Sequence, residues 1–370
     1  MIKGMDISTL LEEEEHGAKF YDGNGAEDLF VILKRHGVNS VRLRLWNDPY
    51  DENKNAYGAG TNDFDKTVIL AKRAVEAGMS WLLDFHYSDF WADPGKQNVP
   101  KAWRGLNEDE LAAAVYAYTS DTLLALKERN ISPDFVQVGN EITNGMLWPL
   151  GHRDYGKGER EDYFNPVLTR FLNAGIRAVR EVLPSSKVML HLDNGGNNAL
   201  YQSWFDGFLR TGGADFDIIG LSYYPFWHGT INMLEYNMND IAEKYRKPLI
   251  IDEVSMGFTM EDYAEYEKLG PNERKGYATK ENLIKNLDFS MTKEGQRDFM
   301  RKINEVLSNV PDGLGQGYYY WEPAWIPVPG VGWATPAALE YTHEKGPCGN
   351  EWANQALFDY DGNALPALDE

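Results

Sequence analysis

Phe135-Val136-Gln137-Val138-Gly139-Asn140-Glu141-Ile142 and Pro248-Leu249-Ile250-Ile251-Asp252-Glu253-Val254 are the two stretches that decide the fold. Each is a short apolar, β-branched run that stops on a polar cluster, the pattern of a parallel strand covered on both faces. Each delivers a Glu to its C-terminal end. The same character recurs at about 2–7, Val38–Leu45, Ser80–Phe85, Lys187–Leu192, Phe216–Ser222 and Gly317–Trp321. Helical periodicity fills the intervals at about 25–36, Phe64–Ala77, 108–129, 162–182, 198–210, 231–245 and 293–309, with a last helix near 350–358. Eight strands alternating with eight helices predict an α/β chain folded as a single (β/α)8 TIM barrel with right-handed crossovers, one domain over residues 1–370. A doubly wound open sheet is the alternative. It wants a Gly-rich phosphate turn after an early strand, and the sequence has none.

Composition agrees with one large core. The chain has 370 residues, 43% hydrophobic and 25% charged, with no Pro/Gly/Ser-rich linker and no short-period repeat. The charge of -21 repels nucleic acid and anionic membrane surfaces, so neither is expected as a partner. A neutral or cationic ligand fits better. No apolar run approaches the roughly 20 residues of a membrane-crossing helix. The lone Cys348 rules out an internal disulfide. Met1 stands almost on the first strand, which predicts a cytoplasmic protein if Met1 is the native start and a secreted one if a leader has been removed.

The polar residues carry the functional argument. Arg42 and Arg44 end the second strand, Asp84 and His86 the third, Asn140 and Glu141 the fourth, and His191 and Asp193 the fifth. Tyr223 and Tyr224 end the sixth, Glu253 the seventh, Trp321 and Glu322 the eighth. Burying such groups costs kilocalories unless they pair or do chemistry, and the C-terminal rim of a barrel is where chemistry sits. Two carboxyl groups facing each other there suit glycoside cleavage, in which one protonates the leaving oxygen and the other attacks the anomeric carbon. The bland reading of Glu141 and Glu253 is an ion pair with Arg42 or Arg44. That the same ending occurs on two strands argues for a working pair.

Asp84-Phe85-His86-Tyr87-Ser88-Asp89-Phe90-Trp91-Ala92-Asp93-Pro94, Val138-Gly139-Asn140-Glu141-Ile142, His191-Leu192-Asp193-Asn194-Gly195 and Tyr320-Trp321-Glu322-Pro323-Ala324-Trp325 together resemble glycoside hydrolase family 53, the arabinogalactan endo-β-1,4-galactanases. The likeness runs from about residue 2 to about residue 360. It implies an endo-acting, retaining enzyme on β-1,4-galactan and galactooligosaccharides, the pectic side chains of type I arabinogalactan. Glu141 is then the acid/base and Glu253 the nucleophile. Asn140 holds the sugar 2-hydroxyl, Arg42 or Arg44 keeps the nucleophile ionised, and His86 lines the same subsite.

Pyranose rings present apolar faces, so aromatic platforms interleaved with polar groups suit the substrate groove. Among Trp91, Trp148, Trp227, Trp321, Trp325 and Trp333, about half are expected in the core. Trp91, Trp321 and Trp325, lying in the motifs above, are expected on substrate with Tyr224, while Asp193 and Asn194 meet sugar hydroxyls. The connections at about 254–292 and 322–349 are long enough to be functional or locally folded. Met260–Leu269 is acidic and helix-compatible. Some bacterial relatives in the resembling family carry calcium between these loops, but Asp262 and Asp288 belong to no spaced ligand series, so no cofactor is expected, with a loop-tying calcium as the lesser alternative. A monomer is expected. The competing readings are a mannanase or cellulase of similar architecture and a catalytically dead sugar-binding barrel. Paired zinc spacing and a Gly-x-Ser-x-Gly elbow are both missing from the sequence, which disfavours metal or serine hydrolases.

Overall fold

A computed structural model describes residues 1–23, 25–263, 280–285 and 287–370. Eight parallel strands close a barrel: β1 (Ile2–Asp6), β2 (Ser40–Leu45), β3 (Ser80–Phe85), β4 (Phe135–Val138), β5 (Lys187–Leu192), β6 (Ile218–Tyr223), β7 (Leu249–Val254) and β8 (Gly315–Trp321). Closure is made by β1 lying between β8 and β2, with Asp6 level with both Trp321 and Arg42. The predicted barrel is therefore the observed one.

Strand parity sorts the side chains. On β2 the outward Val41, Leu43 and Leu45 join the large core beneath the helices. The inward Ser40, Arg42 and Arg44 climb the barrel axis in steps of two. At the barrel floor Leu82, Met189, Ile218, Ile250 and Tyr319 pack as a separate layer. Tyr319 also hydrogen-bonds Ser40 at 2.8 Å. Its ring fits only because β1 has Gly4 opposite, where a Cβ would stand 2.3 Å from ring carbon Cδ1. Above this apolar layer the axis turns polar, and the chemistry begins there.

The crossover helices carry the expected end signals. Asp63 caps Phe64–Glu76, Asn107 forms a capping box on Glu108–Glu128, and Asn165 caps Pro166–Val182 with Pro in its first turn. Helices Asn198–Arg210, Ile231–Tyr245 and Lys293–Asn309 complete the later crossovers. The helix expected at 25–36 is shorter, Leu29–Arg35, because Ala26–Glu27 pairs with Phe20–Tyr21 in a small ribbon and Asp28 starts the turn. The helix expected near 350–358 is not α-helical. Only a 3-10 turn, Ala353–Gln355, forms there, the Gln355 carbonyl accepting from the Tyr320 hydroxyl of β8 and its side-chain oxygen from Ser255 just after β7. The helix after β8 is instead Pro336–Thr342, capped by Thr335, and a further short helix, Leu10–Glu15, follows β1. Of the acidic stretch 260–269, Met260–Tyr263 is non-helical and the remainder lies outside the described residues. Among the described residues no helix is long and apolar enough to cross a membrane.

Candidate active site

Backbone irregularities aim both carboxylates. After β4, Gly139 at φ 85° turns the chain and Glu141 takes a left-handed φ of 45°, a conformation costing a non-glycine residue about 1–2 kcal/mol. The turn brings two consecutive side chains, Asn140 and Glu141, to the barrel mouth. On β7 a bulge does the same work. Leu221 of β6 pairs with Ile251, but the next residue, Ser222, pairs with Glu253. One extra residue on β7 thus turns Glu253 inward.

The two carboxyls meet. One oxygen of Glu141, one of Glu253 and a ring nitrogen of His191 all lie within 4.8 Å of one another. Each carboxyl has its own supports. Glu253 Oε1 lies 2.9 Å from Arg42 Nη1, and Oε2 accepts from the Tyr224 hydroxyl at 2.7 Å. Glu141 Oε1 accepts from Ser222 Oγ at 2.7 Å, and Ser222 Oγ contacts His191 Nε2 at 2.8 Å. No cation touches Glu141 in that set. Burial, then the charges of Glu253 and Asp193, raise its pKa well above the ordinary value against the Ser222 hydrogen bond. Burial raises Glu253 as well, to about 7, with Arg42 and the Tyr224 hydroxyl pulling it back down. A proton shared by the pair near neutral pH therefore rests on Glu141.

The choice between the arginines is resolved by partners. Arg42 reaches Asp6 at 2.7 Å, Asp84 at 2.9 Å and the Asn140 side-chain oxygen Oδ1 at 2.8 Å as well as Glu253. Arg44 instead pairs with Glu322 at 2.5 Å and lies 4.4 Å beneath the Trp91 ring. Both arginines are buried, so they act from behind the cleft floor. His86 is held between Asp84, 3.0 Å from Nε2, and the Trp46 indole N–H, 3.1 Å from Nδ1. These partners make Nε2 the protonated nitrogen. Asn140 also donates its amide to the Ala92 carbonyl at 2.9 Å.

A cleft of about 570 Å³ opens over the pair. Of the residues expected on substrate, His86, Trp91, Asn140, Asp193, Tyr224, Trp321 and Trp325 line it together with Glu141 and Glu253. Trp325 is only 1% exposed and backs Trp321, its ring centroid 5.8 Å away. Asn194 does not line the cleft; it donates to Asp193 at 2.6 Å and so orients that carboxylate. Trp148 lies away from the cleft, at a separate depression with Trp103 and Tyr341. Trp352 was not foreseen as a wall. It stands 4.8 Å from Trp321 and 5.6 Å from Tyr224, and it sits in the segment read as a helix, which hid it. Ser222 carries no sequence signal of its own beyond lying one strand step from Tyr224.

Among the described residues the one close group of three possible metal ligands is Glu141, His191 and Glu253, inside the cleft rather than between the loops. Asp262 and Asp288 are not in that group.

A family model described as Glycosyl hydrolase family 53 matches residues 2–370. An endo-beta-1,4-galactanase of Bacillus subtilis (strain 168) is 38% identical, covering 99% of this chain and 84% of its own. Arabinogalactan endo-beta-1,4-galactanase A of Aspergillus niger is 36% identical over 88% of this chain and 85% of its own. A solved structure, the Ignisphaera aggregans GH53 catalytic domain, superposes with a TM-score of 0.87 at 37% identity, covering 100% of this chain and 94% of its own.

Proposed function

This chain belongs to glycosyl hydrolase family 53, and from that premise we propose that it cuts β-1,4-galactan internally by double displacement, with Glu253 as nucleophile and Glu141 as acid/base. It is a glycosidase, and galactanase-named relatives support galactan as the polymer it acts on. The observation that carries the mechanism is the pair itself: two carboxyls within 4.8 Å, one beside a cation and one without. An inverting pair stands about 6.5–9.5 Å apart to admit water, whereas a retaining pair is closer.

In the first step a Glu253 oxygen bonds to the anomeric carbon as the glycosidic C–O bond breaks, and the Glu141 proton passes to the leaving oxygen. Glu141, now an anion, takes a proton from water as that water attacks the same carbon, and the Glu253 ester bond breaks. Arg42 and the Tyr224 hydroxyl hold the leaving carboxylate. Asn140, fixed by Arg42 and Ala92, faces the cleft where a 2-hydroxyl sits in this reading. Trp91, Trp321 and Trp352 offer rings to neighbouring sugars. Proton transfer and attack both come from carboxyl groups, so the reaction is proposed to be cofactor-independent, and the acting unit is proposed to be a monomer.

The test follows the anomer released from unbranched galactan by NMR. A β-anomer first is expected; an α-anomer would mean inversion. Equal or greater activity on mannan or cellulose would sink the substrate assignment. A dead sugar-binding barrel would give no product at all.

A further inference from the structure

Neighbouring residues of a strand face opposite sides of the sheet. On β7 Ile250 faces the barrel axis, so Asp252, two residues on, faces it too, and Glu253 in a regular strand would face the helices. The bulge lets both stand inside: Ile251 and Val254 pair with Tyr318 and Tyr320 on one side, and Ile251 and Glu253 with Leu221 and Ser222 on the other. Two adjacent carboxyls thereby reach one guanidinium. Glu253 meets Arg42 Nη1 at 2.9 Å, and Asp252 Oδ2 lies 3.1 Å from Arg42 Nε.

Asp252 is otherwise stranded. It is fully buried, and among the described residues neither of its oxygens accepts a well-aligned hydrogen bond. The single Nε–H of Arg42 is taken by Gln137 Oε1 at 3.2 Å. Facing Asp252 from the other strands are Asp6 on β1, Asp84 on β3, His191 on β5, its Nδ1 3.6 Å away, and Tyr319 on β8. Asp6, Asp84, Asp252 and Glu253 all draw on Arg42, while Arg44 is turned to Glu322 at 2.5 Å and stands off Asp6 at 3.6 Å, and Asp84 also has the His86 ring at 3.0 Å. One guanidinium does not balance that many buried anions.

We propose that Asp252 is a positioning residue for Glu253: as a neutral acid it leaves Arg42 to the nucleophile, and as an anion it pulls the guanidinium away. This rests on Glu253 being the nucleophile. Burial first, then the charges of Asp84, Glu253 and Asp6 against the attraction of Arg42, push Asp252 up to about 8. The changeover therefore falls on the alkaline side of the pH at which Glu253 ionises. Glu141, raised well above its ordinary value, sets a separate limit.

The test is the pH profile of kcat/KM for Asp252→Asn. The alkaline limb is expected to move up by about one pH unit or more while the acid limb stays. A limb that superimposes on the unmodified enzyme's, or a loss equal at every pH, overturns the proposal, since a merely structural role lowers the rate without moving a limb. Should the variant not fold, the unmodified enzyme labelled with 13C at the aspartate carboxyls answers the question. One carbon titrating near 8 is expected, and the absence of any titrating above about 7 overturns it. Glu253→Gln separates the two ideas: if it stays active the nucleophile assignment fails, whereas an inactive Glu253→Gln with an unshifted Asp252→Asn profile removes only this proposal.

Discussion

Tyr224→Phe removes one oxygen and tests the charge arrangement of the pair directly. The hydroxyl donates to Glu253 Oε2 at 2.7 Å in a buried setting, and a hydrogen bond to an ion contributes about 1.5–3 kcal/mol. That bond stabilises the anion, so losing it favours the neutral acid. At about 1.4 kcal/mol per pH unit, the Glu253 pKa moves up by roughly one to two from its starting point. Glu253, already raised from 4.5 to about 7, must be ionised to attack, so the acid limb of kcat/KM moves up with it. On the acid side the rate falls about tenfold for every pH unit that the limb advances, giving a drop of about 10–100-fold at pH 6 and a smaller one well above neutrality. Initial rates on soluble galactan between pH 5 and 9, with thermal melts to confirm folding, measure this. An acid limb that does not move would refute the placement of Tyr224 on the nucleophile.

Other expectations follow from the same geometry. Glu141→Gln keeps the Ser222 hydrogen bond but carries no transferable proton, so turnover on galactan should fall by about 10²–10⁴, with less loss on an aryl galactoside whose leaving group needs no proton. Trp352→Ala removes a ring from the cleft wall beside Trp321; KM for galactan should rise about 2–10-fold, as for a lost aromatic contact of about 0.5–1.5 kcal/mol, and hydrolysis rates across concentration will read it. Glu13 is buried with neither oxygen hydrogen-bonded among the described residues, and burial followed by the charges of Glu322 and Glu12 raises its pKa well above 4.5. Folding therefore favours its protonated form. Its stability contribution is intact below the unfolded pKa and is lost as pH rises toward the folded one, by about 1.4 kcal/mol per pH unit. Glu13→Gln should accordingly melt higher than the unmodified protein at pH 8 and close to it at pH 4, by calorimetry.

What could be read from residues alone was whatever follows from period and punctuation. Apolar runs between helical stretches located every barrel strand, and their polar endings located the rim. Which residues would face inward was harder, because it depends on parity. By a strict count of two from Ile250, Glu253 points at the helices and Asp252 at the axis. Only the bulge, set by pairing with both neighbours, reverses Glu253, and no residue in the stretch announces it. Arg42 and Arg44 share a face, so sequence could not separate them; the strands opposite them do, since Arg42 meets β3 and β7 groups while Arg44 sits one layer higher against Glu322. The last predicted helix failed for a different reason. Residues 350–358 have helical composition, but their carbonyls are claimed by the Tyr320 hydroxyl, the Gln296 amide and the Phe258 N–H of the loop after β7.

Arg42 is bonded or ion-paired to groups from β1, β3, β4 and β7, Gln137 being the one on β4, so its five N–H donors stitch together staves from most of the ring's circumference. Removing any of those staves unbalances a charge that has no access to water. Catalytic output then works as a gauge of whether the ring is shut: on warming, activity should disappear together with the first strand to part from its neighbour, and at no temperature should an enzyme with an opened wall still turn over.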